Sequence, residues 1–487
     1  MKCFHLLLLA LFSGVFSFAQ VGVNTTTIDP SAALDIQYGT TPKGLLTPRM
    51  TTAQRTAITT PADGLMVYDT DLKAFFHYKG GSSPGWIRMS SDVSGRINFK
   101  RVKNVSDLAA EKLAGANSKY LLNPLYYYEI NGDILFDLPI DLNNAYLVGL
   151  DANEDKVRRN GNLFVGATGG TIKNLSITAT GGAVFSLAGP ATENLVFRDC
   201  IVTGSANVGS ISGFGLIFSS VIQYVGNTNG IIYNNINRLL LNNIAWFGNN
   251  NGTFEKYTGT FSLIQKLGGF CEVNGSATGV DVSADPIISG SAVLESVVFT
   301  GSNAAGYIRK YTTGSYAGYN FNNSWSVNSP GIPRESDSEA IGDINLLANV
   351  GSGVSTTLPS GNVRVKINGA TTSNNLFRFT SDPLIGNRIT YRGNKTRYFQ
   401  VAGSVSLQGT SADLVVVIYI AKNGIVINES RTLGSGSTGF LTNSGGVLSL
   451  PIVGAVSMST GDYIEIWAER YSGSGNMSTV SLNLTAR

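Results

Sequence analysis

Residues 193–202, ENLVFRDCIV, and residues 238–246, RLLLNNIAW, are typical of the middle of this 487-residue chain. Each is a short apolar run bounded by Asn, Gly or Ser, and no window there suits a helix. Apolar residues recur roughly every 20–23 residues, the length that one coil of a parallel β-helix requires. The middle of the chain therefore predicts a parallel β-helix, which serves either as a rigid stalk or as the body of a polysaccharide-cleaving enzyme. The recurring residues are Leu175, Leu195, Ile217, Leu240 and Leu263.

The composition favours an all-β protein outside the cytoplasm. Charged residues make up only 14% of the chain and glycines number 57, whereas charged residues are usually about a quarter. Such a composition is typical of turn-rich extracellular or virion proteins. The formal net charge is +3 without a clear basic patch, so nucleic acid is not an expected partner.

Residues 1–19 form a leader with a positive start and a short apolar run. Ser17 and Ala19 fit the −3 and −1 positions of a cleavage site, which predicts a Sec signal peptide. A short membrane anchor is the alternative, but the apolar run is too short to span a bilayer comfortably. We therefore expect export to the outside of a cell.

Cysteine and histidine are scarce beyond the leader. Cys200 and Cys271 lie in apolar runs, which favours two buried thiols over a disulfide between stacked coils. His77 is the one histidine after the leader. A His-based triad is therefore excluded over most of the chain, and a multi-histidine metal site cannot form within it. No cofactor and no metal are expected.

Residues 20–90 are predicted to form a small N-terminal module. Thr51 or Thr52 is placed to cap a short helix. Residues 64–68 and 75–78 read as the strands of a hairpin, and Trp86 closes the unit. A unit of this size needs self-association or a neighbour for stability.

Three stretches of this module carry a resemblance: PSAALDI (30–36), KGLLTPRMTTAQR (43–55) and PADGLMVYDTD (61–71). Together with Trp86 they resemble a module near the ends of Bacteroidetes surface proteins and phage fibre proteins. The resemblance implies an exposed assembly protein, attached to an anchoring protein of a virion or cell surface, without catalytic activity.

Residues 91–125 are predicted to be a connector, with a helix at DLAAEKL (107–113) that caps the first coil. Leu108 and Leu113 are its apolar contacts. The β-helix stalk is assigned to residues 126–333. A Pro- and Gly-containing stretch and an acidic run then mark a domain boundary.

From residue 340 to 487 the strands lengthen and alternate, and about eight of them suggest a jelly-roll sandwich. The run at 414–421 fits a strand buried on both faces. Asn423 and Gly424 indicate a type I′ hairpin turn, followed by a strand at 426–431.

The order YFQVAGSVSL (398–407), VVVIYIAKNGIVI (415–427) and TGDYIEIWAE (460–469) resembles the tumour-necrosis-factor (TNF)/C1q-like heads of phage fibres and bacterial surface proteins. The resemblance implies a homotrimer. The expected fold class is thus all-β, with a central right-handed parallel β-helix and a C-terminal jelly-roll (TNF/C1q-like) head.

Acidic residues of the β-helix are the candidates for catalysis, because glycosidases use paired carboxylates. They are scattered singly, so solvated coil edges are favoured over a catalytic groove, and no catalytic residue is assigned. Asp281 and Asp285 fit either a calcium site or, preferably, a loop turn. The candidates are Glu193, Asp199, Glu255, Glu272, Asp281, Asp285 and Glu295.

A Gly-rich aromatic stretch is the candidate ligand site, because aromatic rings stack on sugar faces. Its residues are Tyr311, Tyr316, Tyr319, Phe321 and Trp325. The alternative, of equal weight, is that these rings pack the joint between stalk and head.

The favoured function is a homotrimeric fibre or spike of a phage virion that binds a host cell-surface glycan or protein. A secreted bacterial adhesin is one alternative. A β-helix polysaccharide depolymerase is another, and it requires an acid pair in one groove.

Overall fold

The computed structural model describes residues 20–39, 41–89, 98–435 and 446–487. It divides into two compact units, Met1–Ile97 and Asn98–Arg487. The predicted signal peptide, residues 1–19, lies outside the described residues. Within the described ranges, no helix has the length and apolar character needed to cross a membrane.

The described residues of the N-terminal unit form two small sheets and one helix. β1 and β2 pair in parallel. In the second sheet, β3 is parallel to β4, and β4, β5 and β6 follow as an antiparallel meander. The elements are β1 (Val21–Val23), β2 (Leu34–Ile36), β3 (Arg49–Met50), α1 (Thr52–Thr56), β4 (Met66–Asp69), β5 (Ala74–Lys79) and β6 (Gly85–Arg88).

Local sequence explains this unit well. Thr51 accepts a hydrogen bond from the Gln54 amide and Gln54 reciprocates, so α1 begins in a capping box. The hairpin β4–β5 and the packing of Trp86 against the core are as the sequence predicts. Among its described residues, the buried apolar side chains of the core are Val67, Ala74 and Phe76.

Asp69 organises the buried polar part of the same unit. Its carboxylate accepts hydrogen bonds from Arg55 Nε at 2.9 Å, from Thr52 Oγ1 at 2.8 Å and from the amides of Asp71 and Leu72 at 3.0 Å. Burial opposes ionisation, but these donors outweigh it and lower the pKa of Asp69 to about 2. The side chain is therefore a charged residue within the fold, fully buried and fully paired.

Residues 99–328 form the β-helix. Its elements are β7 (Phe99–Val102), a 3₁₀ turn (Val105–Leu108), α2 (Ala109–Ala114), β8 (Tyr120–Leu121), β9 (Tyr127–Ile130), β10 (Asp133–Phe136), β11 (Ile140–Asp141), β12 (Tyr146–Val148), β13 (Lys156–Arg159), β14 (Phe164–Gly166), β15 (Gly170–Lys173), β16 (Ser176–Ala179), β17 (Ala183–Ala188), β18 (Asn194–Thr203), β19 (Asn207–Ser212), β20 (Leu216–Val225), β21 (Ile231–Asn234), β22 (Arg238–Trp246), β23 (Thr253–Thr258), β24 (Thr260–Glu272), β25 (Thr278–Asp281), β26 (Ile287–Glu295), β27 (Val298–Thr300), a 3₁₀ turn (Ala304–Gly306), β28 (Ile308–Arg309) and β29 (Trp325–Asn328).

These strands stack in two parallel sheets. The long sheet runs β7-β9-β12-β15-β18-β20-β22-β24-β26-β29, and the short sheet runs β8-β11-β14-β17-β19-β21-β23-β25-β28. Successive coils place Leu195 beside Ile217, Ile217 beside Leu239 and Leu239 beside Ile264. The apolar residues of both sheets line one continuous core. The predicted all-β chain with a central parallel β-helix is confirmed.

Two recurring residues are corrected by one position. Leu239 and Ile264 are fully buried, whereas the predicted Leu240 and Leu263 are half-buried on the outer face. Side chains alternate along a strand, so a shift of one residue changes the face. The sequence does not show which residue faces the core, because positions 239–241 are all leucine and Leu263 is followed by Ile264.

The β-helix also begins earlier than residue 126. β7 pairs with β9 in the long sheet, within the segment 91–125 assigned to a connector. The helix expected at residues 107–113 is present as a 3₁₀ turn and α2. Leu108 packs into the core, but Leu113 is 72% exposed. Of the two apolar contacts predicted for the capping helix, the structure therefore shows the one made by Leu108.

The head, residues 341–487, is an antiparallel sandwich of two sheets around an apolar core. One sheet runs β33-β30-β42-β36-β40 with β31 beside β42, and the other runs β34-β35-β41-β37-β38 with β32 and β39 at its sides. Its elements are β30 (Ile341–Leu347), β31 (Val354–Thr356), β32 (Arg364–Lys366), β33 (Leu376–Phe377), β34 (Phe379–Ser381), β35 (Ile389–Tyr391), β36 (Arg397–Gly409), β37 (Val415–Lys422), β38 (Ile425–Val426), a 3₁₀ turn (Asn428–Ser430), β39 (Thr432–Ser435), β40 (Leu448–Met458), β41 (Tyr463–Ser472) and β42 (Met477–Ala486). A 3₁₀ turn, Asp337–Glu339, precedes it.

The predicted jelly-roll head is confirmed, with one local correction. β37 is buried on both faces, and Asn423 and Gly424 both have positive φ in the β37–β38 turn. The strand expected at 426–431 ends at Val426, because Asn428–Ser430 turns into a 3₁₀ helix.

Candidate functional site

The aromatic segment lies where the β-helix ends and the head begins, and three of its residues belong to the β-helix core. Tyr311, Phe321 and Trp325 are at most 2% exposed. Trp325 Nε1 donates to Tyr311 Oη at 3.0 Å, and the Tyr311 hydroxyl donates to the Pro286 carbonyl at 2.8 Å. The rings of Phe321 and Trp325 are 4.7 Å apart. These side chains close the last coil.

Tyr316 and Tyr319 contact the head instead. Tyr319 stacks on Phe377 with ring centroids 3.9 Å apart and planes inclined by 20°. Tyr316 meets the same ring at 5.3 Å and 74°. Burial is the main cause that raises the pKa of both phenols. Both tyrosines are half-buried, so they hold Phe377 and keep part of their surface in solvent.

Arg378 carries the head's main polar contact to the β-helix. It is 3% exposed and has a φ of 57°. Nη2 donates to the Trp325 carbonyl at 2.6 Å, and Nη1 donates to the Asn323 carbonyl at 3.2 Å and to the Asp337 carboxylate. A planar guanidinium suits several acceptors at once. One side chain thus joins the last coil, the boundary segment and the head.

Asp337 is the acceptor at the centre of this arrangement. Besides Arg378, its carboxylate receives the amides of Asn394 at 3.0 Å and Lys395 at 2.8 Å. Asp337 is 8% exposed, so its charge is buried and its oxygens are satisfied. The junction is therefore one hydrogen-bonded network.

The free edge of the last strand is covered by the boundary segment. Val327 and Glu335 form an antiparallel bridge with N–H to O distances of 2.9 and 3.0 Å. The buried Glu335 carboxylate accepts the amides of Asn320 at 2.8 Å and Phe321 at 2.9 Å. Burial outweighs these donors and raises the pKa of Glu335.

These contacts favour the packing alternative for the aromatic stretch. The rings of Tyr311, Phe321 and Trp325 are buried and offer no face to a sugar. Ligand contact by Tyr316 and Tyr319 stays a prediction. The sequence did not single out Phe377 or Arg378, since both act through partners distant in the chain. Arg378 is 41 residues from Asp337 and 53 residues from Trp325.

A cleft of about 1130 Å³ opens beside the junction, between the outer face of β26 and the head. Hydroxyl groups, three cationic residues and two acidic residues line much of it, while Trp325 is buried in the core. Its lining includes Ser289, Ser291, Ser326, Ser338, Lys395 and Arg397.

The carboxylates that were candidates for catalysis mostly support the coil turns. Glu193 accepts the Gly169 amide and Glu272 the Gly248 amide, both at 3.0 Å. Asp285 accepts the Thr312 amide at 2.7 Å, and its hydrogen bond with the Thr312 hydroxyl is the main cause of a lowered pKa.

Three further acids have cationic neighbours, and one lies at the surface. Asp281 contacts Arg309 at 3.3 Å, Asp199 lies 3.7 Å from Arg198, and Glu255 is buried with Lys266 at 2.8 Å. Glu295 lies at an exposed position. No cluster of three or more His, Cys, Asp or Glu residues suited to a metal occurs in the described ranges.

The two thiols are free and buried, as the sequence favours. Burial raises the pKa of both Cys200 and Cys271 to about 12. Both side chains are therefore unreactive core residues. His77 is a half-buried residue of β5 in the N-terminal unit.

The N-terminal region has a relative among known families. Residues 22–105 match the model of a phage tail like trimerisation region. The matched range covers the described elements β1 to β7. This match and the β-helix fit a phage fibre or spike. No curated protein matches the chain.

Solved structures show weaker similarity. Murine APRIL at pH 8.5 is 12% identical and covers 30% of this chain and 99% of its own, with a TM-score of 0.20. Eiger TNF from S. frugiperda is 13% identical over 31% and 93%, also at 0.20. ORF18 of Geobacillus virus E2 is 11% identical over 85% and 89%, at 0.21. Scores of this size carry no argument about function.

Proposed function

We propose that the chain is a homotrimeric fibre or spike of a phage virion that binds a host cell-surface ligand, foremost a glycan. The N-terminal module joins three copies and attaches them to an anchoring protein of the virion. The β-helix is the stalk, and the head carries the binding surface. This role requires neither a cofactor nor catalysis, and the module's resemblance points to a Bacteroidetes-type host.

The match of residues 22–105 to a trimerisation region carries this proposal. The exposed apolar side chains of the N-terminal unit support it, because a unit with three buried apolar core residues gains stability by covering them. They include Val21 at 55%, Leu34 at 52%, Leu45 at 63% and Leu46 at 80% exposure.

The junction supports a role in presentation. Arg378, Asp337 and the Phe377 stack join the head to the last coil through buried contacts. A head fixed on a long stalk holds its binding surface at a set distance from the base. Three such heads would gain by multivalency even where each site binds weakly.

Mass photometry of residues 20–487 tests the assembly. We expect a single species of three chain masses, and a stable monomer would overturn the proposal. Removing residues 20–97 gives the matched control. That truncation should reduce the trimer fraction, because the trimerisation match lies mostly in the removed part.

Binding of the labelled trimer to host cells tests the adhesive role. We expect binding that is lost when surface glycans are removed enzymatically, and binding that persists would point to a protein receptor. Replacing both half-exposed tyrosines, Tyr316→Ala with Tyr319→Ala, tests whether the aromatic stretch contributes. Absence of cell binding by a correctly assembled trimer would contradict the adhesive role.

Localisation separates the virion from the bacterial alternative. A virion component is found in purified particles, whereas an adhesin is found on the bacterial surface after the predicted leader is removed. Release of reducing sugar from host polysaccharide would favour a depolymerase instead. We expect none, since six of the seven candidate acids already have structural partners.

A further inference from the structure

One row of side chains follows the outer face of the long sheet from its first strand to its last. The strand registers place one residue of each strand beside the next, so the row has one member per coil. We call it the outer row. Its members are Phe99, Tyr127, Tyr146, Thr171, Val196, Phe218, Leu240, Gln265, Val293 and Ser326.

The outer row faces away from the core. Its sequence neighbours Leu147, Leu195 and Leu239 are at most 1% exposed, so the row itself lies on the opposite side of the pleat. Tyr146 is 51% exposed, and most of the other members are half-buried between adjacent strands. The row begins with stacked rings, Phe99 on Tyr127 at 6.1 Å and Tyr127 on Tyr146 at 6.3 Å.

None of the ten positions is charged, although the outer row crosses the whole β-helix. The corresponding row on the short sheet differs. There, Ile232 is followed by Lys256, Asp281 and Arg309, and Asp281 contacts Arg309 at 3.3 Å. Charged residues on an outer sheet face keep it in water and resist pairing. Within the described residues, the outer row is uncharged from the first strand of the long sheet to the last, whereas the compared short-sheet row is charged over its last three strands.

The start of the outer row lies inside the trimerisation match. Residues 22–105 include β7, and β7 contributes Phe99. Copies joined over this range bring their first long-sheet strands together. The outer row then continues from the matched range along the β-helix, one uncharged residue per strand spacing of about 4.8 Å. A parallel second copy repeats the same spacing and matches it level by level.

We propose that the outer row, from Phe99 to Gln265, faces its copies along the three-fold axis of the homotrimer. The last two members, Val293 and Ser326, open into the cleft beside the head and are left out. Charged side chains of the neighbouring row, such as Lys173 and Arg198, form the solvated rim. This inference rests on the proposed homotrimer and specifies its β-helix interface.

Charge insertion tests the interface. The double variant Phe218→Asp with Leu240→Asp places like charges of three copies close together, whereas Ser210→Asp with Ile232→Asp is the matched control on the short sheet. We expect the row variant to raise the trimer dissociation constant by about a hundredfold or more. The control should assemble like the wild type. Equal behaviour of the two variants would overturn the inference.

Disulfide cross-linking gives a readout that does not depend on weakened folding. The native thiols Cys200 and Cys271 are buried and will not compete. Leu240→Cys should form covalent dimers of chains under mild oxidation, and Ile232→Cys in the same coil should form none. The reverse pattern would refute the interface. If the wild type is a monomer, the proposed function fails; if it is a trimer without Leu240→Cys cross-links, only this inference fails.

Discussion

The β-helix and the head differ in where they bury polar and charged side chains. The β-helix core encloses a lysine, a glutamate and two asparagines, all at most 2% exposed. The core of the head is mostly apolar. Its buried charged residues lie on the outer face of β41, on β30 (Asp343) or at the junction, and its buried Asn387 donates to backbone carbonyls. Each coil places two sheets across one core and lies beside a similar coil, so a buried polar group finds a partner in the same coil or one coil away. An antiparallel sandwich offers no such repeat.

The ion pair between Lys266 and Glu255 inside the β-helix illustrates how buried charges are paired. Lys266 Nζ lies 2.8 Å from Glu255 Oε1, and the Tyr257 hydroxyl donates to Glu255 Oε2 at 2.6 Å. Lys266 also lies 4.8 Å from the Phe254 ring centre. Burial, together with the charge of Glu255, raises the pKa of Tyr257 well above its usual range. Each charged atom has a partner inside the coil.

Two glutamates of the head lie on the outer face of β41, where cationic side chains cover them. Glu465 accepts from Arg388 and lies 3.0 Å from Lys366, and Trp467 Nε1 donates to it at 2.9 Å. Glu469 is covered by Arg364 at 3.1 Å. Glutamate is thus a core residue in the β-helix, whereas in the head it lies on the sheet surface beneath cationic side chains.

The largest effect should come from breaking the internal ion pair. Lys266→Met leaves Glu255 buried without its cation, and we expect a loss of about 3–5 kcal/mol in the free energy of unfolding. The double variant Lys266→Met with Glu255→Leu should recover much of that loss, because no charge remains buried. Denaturant unfolding measures both. A single variant within 1 kcal/mol of wild type would show that the pair contributes little.

A somewhat smaller effect is expected from removing the contact between the β-helix and the head. Arg378→Met removes the donors to Trp325 and Asp337, and the buried Asp337 carboxylate loses its cation. We expect a loss of about 2–4 kcal/mol and separate thermal transitions for head and β-helix. Arg392→Met is the control, because Arg392 is exposed and donates to the Thr380 hydroxyl. A single transition at the wild-type temperature would contradict this role.

A smaller effect is expected from the asparagine pair that links neighbouring coils. Asn250 accepts the Asn227 amide at 2.8 Å and donates to the Tyr224 carbonyl at 2.6 Å. Asn250→Ala should destabilise the β-helix by about 1–3 kcal/mol, since it leaves buried backbone groups unpaired. The exposed neighbour Asn251 gives the control Asn251→Ala, for which we expect no measurable change in denaturant midpoint.

The small N-terminal unit also contains a buried charge, that of Asp69. Asp69 has a pKa of about 2 in the fold against 3.8 ordinarily, so its stabilisation is present above pH 4 and is lost as pH falls toward 2. We expect the unit to unfold progressively over that window. Asp69→Asn should lower its stability at pH 7 and remove most of the acid dependence. Circular dichroism of residues 20–97 against pH measures it, and an unchanged pH profile would speak against it.

Local pattern sufficed to predict the strand-rich β-helix and head, a helix cap at Thr51 or Thr52 and the turn at Asn423. The structure assigns the cap to Thr51 and adds its capping box with Gln54. Local pattern did not show which of Leu239 and Leu240 faces the core, because consecutive leucines are compatible with either orientation of the strand. The strand β40 was not anticipated, since Pro451 and Gly454 interrupt its apolar run. The network around Arg378 joins distant segments, and no local signal marks it.

The junction has a consequence for solubility at high concentration. The terminal strand of a parallel β-helix resembles the growing tip of an amyloid fibril, which accepts further strands through open hydrogen-bonding groups. Here the Trp325 carbonyl is taken by Arg378, and both backbone groups of Val327 are taken by Glu335. The boundary segment and the head thus occupy these backbone groups and oppose the addition of a further strand at this end of the β-helix.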